Sequence, residues 1–139
     1  MVAASRPSLC HSTKVLLVED NDISRQLMSD FLISCGYGVV SLSTAHALLM
    51  TLDRFNPDVL LLDLKLPDVD GYAVLKQLQV HPRWQHLPVI VISAFAFQAD
   101  QQRALLLGAR QYLTKPVKLL DVTTAIQAEV KPQALEAVV

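Results

Sequence analysis

Apolar residues recur along this chain at two different spacings. Short runs rich in Val, Ile and Leu stand at Lys14 to Val18, Gly38 to Leu42, Asp58 to Leu62, Pro88 to Ile92 and Gln111 to Leu113, and such runs predict strands. Between them, apolar positions repeat at helical spacing over Asp22 to Cys35, Thr44 to Arg54, Tyr72 to Val80, Gln98 to Leu107 and Lys118 to Val130, which predicts helices. The result is five strand and helix units in alternation. Three of the strands, Val15 to Val18, Val59 to Leu62 and Val89 to Ile92, are apolar almost throughout. Strands of that kind are covered by helices on both faces of a parallel sheet, so the fold expected is doubly wound α/β.

A length of 139 residues fits one domain with one core. The pattern places that domain at residues 14–130, between an N-terminal tail, 1–13, and a C-terminal tail, 131–139. Periodicity does not order the strands, but the flavodoxin-like order 2-1-3-4-5 is one of two common solutions for such a sheet. Hydrophobic residues make up 52% of the chain, and 12 Lys and Arg face 13 Asp and Glu. That composition excludes disorder and gives no bulk electrostatic reason to expect nucleic-acid binding. No apolar run approaches the roughly 18 residues of a membrane span. Met1 to Ser12 lacks the pattern of a secretory signal, so a cytoplasmic location is expected. Cys10 and Cys35 have no metal-site spacing and are expected to be buried or idle thiols. The four histidines, His11, His46, His81 and His86, show no ligand spacing either and are expected at the surface.

Ligands of doubly wound sheets bind at the carboxyl ends of the strands. There the sequence places Glu19-Asp20-Asn21, Asp63, Ser93-Ala94 and Thr114-Lys115-Pro116. Three carboxylates on one edge raise one another's pKa unless a cation lies among them. A hard divalent ion such as Mg2+, which takes oxygen ligands and few carboxylates, is the simplest remedy. Plainer readings exist for each group. Glu19-Asp20-Asn21 can cap the following helix, Asp63 can end a strand in solvent, Ser93 can satisfy a loop amide, and Lys115-Pro116 can be a strand-to-helix turn with proline near the helix start. Lys115 can still point inward against the acidic group, and the peptide before Pro116 is a candidate for cis geometry.

Together, Val18-Glu-Asp-Asn21, Asp63-Leu-Lys-Leu-Pro-Asp-Val-Asp-Gly71, Ser93-Ala94, Gly108-Ala109 and Tyr112-Leu-Thr-Lys-Pro116 resemble the receiver domains of two-component response regulators, chemotaxis-regulator-like in form. The resemblance spans roughly Lys14 to Val130. It implies that Asp63 accepts a phosphoryl group from a histidine kinase or histidine phosphotransfer protein. It further implies that Glu19, Asp20, Asp63 and the backbone carbonyl of Lys65 hold Mg2+, and that Lys115 contacts the phosphoryl group. Ser93 would be the switch hydroxyl and Tyr112 the switch aromatic. The surface of helix 4, strand 5 and helix 5 would then change and control a downstream protein or a homodimer, without nucleic-acid or membrane contact. The module would catalyse only its own phosphoryl transfer and dephosphorylation, as a free-standing regulator or as the receiver of a hybrid kinase. The short tails favour the first.

Departures from the family pattern set further expectations. Lys65, two residues after Asp63, and Phe95, two after Ser93, stand where smaller or more polar residues are common, and they are expected to hinder the hydrolytic water and prolong phosphorylation. Three successive helical residues cannot all face one core, so at least one of Leu105, Leu106 and Leu107 is expected to face outward. Three rival functions share parts of this pattern. An aspartate-nucleophile phosphohydrolase looks for a second acid two residues after the nucleophile, where Lys65 stands. A flavodoxin-like mononucleotide binder needs amide-rich residues after strand 1, where Glu19 and Asp20 would repel a phosphate. A docking module that is never phosphorylated has no use for the full set of site residues.

Overall fold

The computed structural model describes residues 12–130. Five strands, β1 Lys14–Val18, β2 Gly38–Leu42, β3 Val59–Leu62, β4 Val89–Ser93 and β5 Gln111–Thr114, alternate with five helices, α1 Asp22–Ser34, α2 Leu48–Phe55, α3 Gly71–Gln79, α4 Gln98–Leu106 and α5 Leu119–Glu129. The strands form one parallel sheet in the order β2-β1-β3-β4-β5, the flavodoxin-like solution. No described helix is long and apolar enough to cross a membrane. The expected tails lie outside the described residues apart from Ser12 and Thr13, as do Cys10 and His11.

The two-residue period of a strand divides the core. Leu16, Val18, Leu60 and Leu62 pack against α2, α3 and Ala104 of α4, while Val15, Leu17, Val59 and Leu61 pack against Met28 and Leu32 of α1 and Val122, Ala125 and Ile126 of α5. The inner strands β3 and β4 are buried along their whole length and the edge strands are only partly covered. This explains why the inner strands read as unbroken apolar runs.

Several boundaries differ from the sequence reading, for local reasons. The second helix starts at Leu48 rather than Thr44, because the Ala45 amide donates to the Asp68 carboxylate of another loop instead of entering a helix. Asp58 stays outside β3, where its carboxylate accepts from the Lys14 amide. Cys35 is free and exposed at the end of α1, so of the two expectations for it, buried or idle, burial does not hold. His46 and His86 are exposed, and His81 is partly covered, its Nδ1 accepting from the Arg83 amide. Of the leucine triplet, Leu105 and Leu106 face solvent, and Leu107 packs on the core. Ala104 is the one buried residue of α4, the most weakly anchored helix by that measure. Helices with few buried apolar contacts are the ones that open or shift at low cost.

Candidate functional site

The parallel ladder runs one hydrogen bond past the strand ends, and this places the site. The Glu19 amide donates to the Leu42 carbonyl at 3.0 Å, Asp63 N to the Val18 carbonyl at 3.0 Å, and Lys115 N to the Ser93 carbonyl at 2.8 Å. Three residues from distant parts of the chain are thereby fixed on one edge by the sheet itself. Their side chains converge. Lys115 Nζ donates to Glu19 Oε1 at 2.7 Å and to Asp63 Oδ2 at 2.9 Å, bonds of the short, charge-assisted kind.

The remaining carboxylate oxygens are occupied by local amides. Asp63 Oδ1 accepts from Lys65 N at 3.0 Å, and Glu19 Oε2 accepts from Asn21 N at 3.1 Å. Glu19 and Asp63 are both buried. Burial pushes the Glu19 carboxyl above its ordinary range, with the Asp63 charge adding to the rise and the Lys115 bond opposing it. Burial acts to lower the Lys115 ammonium, but its bonds to Glu19 and Asp63 outweigh that and leave it raised.

Asp20 completes the group from an exposed position. Its carboxylate oxygen lies within 4.8 Å of one oxygen each from Glu19 and Asp63. Three carboxylates face the single ammonium of Lys115, so negative charge is in excess, and every donor atom is a hard oxygen. That donor set fits a divalent cation of the Mg2+ type. The plainer capping reading also holds for one member, since Asn21 Oδ1 caps α1 by accepting from Ser24 N at 2.8 Å.

The loop after Asp63 is stiffened from its far end. Asp70 caps α3 by accepting from Tyr72 N, Lys65 and Asp70 form an antiparallel bridge, and Gly71 N donates to the Leu64 carbonyl at 2.9 Å. A side chain at Gly71 would meet the Leu64 backbone, its Cβ falling 2.7 Å from the carbonyl oxygen. Only glycine permits this approach.

Ser93 is fully buried, and its Oγ accepts from the Phe95 amide at 3.1 Å, the ordinary loop role considered for it. Among the described residues it makes no hydrogen bond to the acidic group. The Tyr112 hydroxyl donates to the Phe95 carbonyl at 2.7 Å, so the tyrosine is already turned toward the loop after β4. Burial raises the Tyr112 phenol above its usual value. Phe95 is thus held through both its amide and its carbonyl, and its side chain is partly covered, whereas the Lys65 side chain is exposed. The Lys115-Pro116 peptide is cis.

The structure also brings in two residues that the motifs did not single out. Arg25, from the first turns of α1, donates from NH1 to the Glu19 carbonyl at 2.9 Å. Tyr72, next to Gly71, packs its ring under the Arg103 guanidinium at 3.9 Å and turns its hydroxyl to Asp100 Oδ1 at 3.3 Å, so joining α3 to α4. Sequence offered one faint signal for the first, an arginine within two helical turns of an acidic strand end. It offered none for the second.

The doubly wound sheet thus carries a lysine-bridged acidic pocket at its carboxyl edge, at the ends of β1, β3 and β5. The chain belongs to the response regulator receiver domain family, whose model matches residues 15–127. It is 32% identical over 105 residues to the polar-differentiation response regulator DivK of Brucella ovis, a match covering 76% of this chain and 85% of that protein. The receiver domain of a sensor histidine kinase from Pseudomonas aeruginosa PAO1, with a magnesium ion coordinated in its active site cleft, superposes with a TM-score of 0.77 at 29% identity, over 85% of this chain and 97% of that one. A CheY-like response regulator receiver domain protein from Methanospirillum hungatei JF-1 gives a TM-score of 0.76 at 26% identity, over 84% and 92% of the two chains.

Proposed function

We propose that this receiver accepts a phosphoryl group on Asp63 from a histidine kinase or histidine phosphotransfer protein, and that Glu19, Asp20, Asp63 and the backbone carbonyl of Lys65 hold Mg2+ for the reaction. The observation that carries this reading is Lys115 lying between Glu19 and Asp63, with Asp20 beside them. A carboxylate oxygen of Asp63 attacks the phosphorus, the phosphorus–nitrogen bond of the donor histidine breaks, and an aspartyl phosphate forms. Such transfer depends mainly on positioning and charge neutralisation. Lys115 supplies one positive charge to the phosphoryl oxygens, and a bound Mg2+ supplies the rest.

The response follows from the same contacts. The Ser93 hydroxyl accepts from Phe95 N and lies beside the Tyr112 hydroxyl, from which its proton can turn to donate to a phosphoryl oxygen. That donation draws the loop after β4 toward Asp63. Tyr112, bonded to the Phe95 carbonyl, follows the loop, and α4, with little buried area to hold it, shifts with it. The surface of α4, β5 and α5, including exposed Leu105 and Leu106, then favours a downstream protein or a second copy, a population shift driven by contacts made in one state only. Lys65 and Phe95 flank the approach of the hydrolytic water and lengthen the modified state.

The test is incubation with a small acyl phosphate donor and Mg2+, followed by intact-mass measurement over time. Wild type gains the mass of one phosphoryl group and Asp63→Asn gains none. Phe95→Ala and Lys65→Asn lose the label faster than the parent. A wild-type chain that stays unmodified, or an Asp63→Asn chain that is labelled equally well, overturns the assignment.

A further inference from the structure

Of the three site carboxylates, two are held directly and one is not. Glu19 is fixed by Lys115 Nζ and Asn21 N, and Asp63 by Lys115 Nζ and Lys65 N. Asp20 is exposed and accepts no hydrogen bond among the described residues. Its position is therefore set by its backbone, through the two peptide planes that meet at its Cα. The plane after it is held where Asn21 N donates to Glu19 Oε2 at 3.1 Å. The plane before it is held where Arg25 NH1 donates to the Glu19 carbonyl at 2.9 Å. The guanidinium is aimed by a second arm, NH2 to Asp22 Oδ1 at 2.6 Å, and the Arg25 side chain is only 21% exposed against 84% for Asp22.

We infer that Arg25 is a positioning residue of the site: by fixing the Glu19–Asp20 peptide it presents the Asp20 carboxylate toward Glu19 and Asp63, and so sets the affinity for a divalent cation. The inference rests on the reading of Asp20 as a metal ligand. The plainer alternative is an i,i+3 pair with Asp22 that supports only the helix, and exposed pairs of that kind contribute little. Groups that orient a metal ligand act differently, since removing one typically weakens metal affinity by about 10- to 100-fold. Asp20, being exposed and otherwise unbonded, is the ligand most dependent on such support.

The experiment titrates Mg2+ into the unphosphorylated full chain by calorimetry, with amide NMR spectra to follow the site. It compares wild type, Arg25→Gln, Arg25→Lys and Asp22→Asn, and adds urea unfolding and the labelling rate at saturating Mg2+. Arg25→Gln is expected to bind Mg2+ about 10-fold more weakly, with a near-parental urea midpoint and a labelling rate that recovers as Mg2+ is raised. Arg25→Lys retains a donor able to reach the carbonyl and recovers most of the affinity. Asp22→Asn, which keeps the carbonyl contact, stays close to the parent. Parental affinity in Arg25→Gln overturns the inference, as does equal weakening in Asp22→Asn, or weakening in Arg25→Lys that only tracks lost stability. If wild type itself binds no Mg2+ and takes no label, the functional reading falls and this inference with it. A wild type that does both, beside an unaltered Arg25→Gln, removes the inference alone.

Discussion

Replacing Lys115 by Met keeps an apolar stem of nearly the same length and removes the ammonium that bridges Glu19 and Asp63. The two carboxylates then lie close together with side chains only 7% and 5% exposed and no cation between them. Taking one partner from a buried ion pair costs about 3–5 kcal/mol, chiefly through the uncompensated charge left behind. Lys115 is itself 27% exposed, so water already shares its charge and the lower end, about 3 kcal/mol, applies. At a urea dependence of about 1.5 kcal/mol per molar, the midpoint falls by about 2 M.

Two dependences separate this cause from a simple packing defect. Without Lys115, Glu19 loses the bond that opposed its upward shift and rises further above its ordinary 4.5. The deficit is then full at neutral pH and narrows as pH falls through the Glu19 value, where protonation removes one of the repelling charges. In wild type, the contribution of Lys115 is present below its ordinary 10.5 and is lost as pH rises through its raised folded value. Mg2+ should also restore part of the loss, since a ligand at about 100 times its Kd stabilises by about 2.7 kcal/mol. Urea unfolding of both proteins at neutral and acidic pH, with and without Mg2+, checks all of this. A variant with the parental midpoint, or with a deficit indifferent to pH and Mg2+, would refute the electrostatic account of the site.

Two further outcomes follow from particular contacts. Gly71→Ala forces a methyl group against the Leu64 backbone and should cost about 1–3 kcal/mol, with shifts at the Lys65 amide in NMR spectra; a parental urea midpoint contradicts this. Burial, reinforced by the Asp100 charge, pushes the Tyr72 phenol up to about 12. A raised folded value means that stability present below the ordinary 10.0 is lost as pH climbs toward 12. Near-ultraviolet titration should show Tyr72→Phe missing the highest of the tyrosine ionisations, and its persistence in the variant would show that another tyrosine carries it.

The sequence determined the alternation of strands and helices, because the inner strands are covered on both faces and had to be apolar throughout. It also carried Glu19, Asp20, Asp63 and Lys115 to one edge, because parallel strands bring the residues that follow them to the same side of the sheet. It left open what each residue does there. Whether Lys115 meets Glu19 or Asp63, across 96 and 52 residues of chain, depends on strand order and on a ladder extended past the strand ends. The late start of α2 followed from a hydrogen bond between two loops, a contact that helical periodicity cannot register. Arg25 and Tyr72 belong to the same class. One acts on a main-chain carbonyl, for which the chain gives only the faint signal of an arginine near an acidic strand end, and the other through a ring face, for which it gives none. The pattern of apolar residues decided the scaffold, and tertiary packing decided which polar atoms touch, since hydrogen bonds are set by distances that only the assembled sheet fixes.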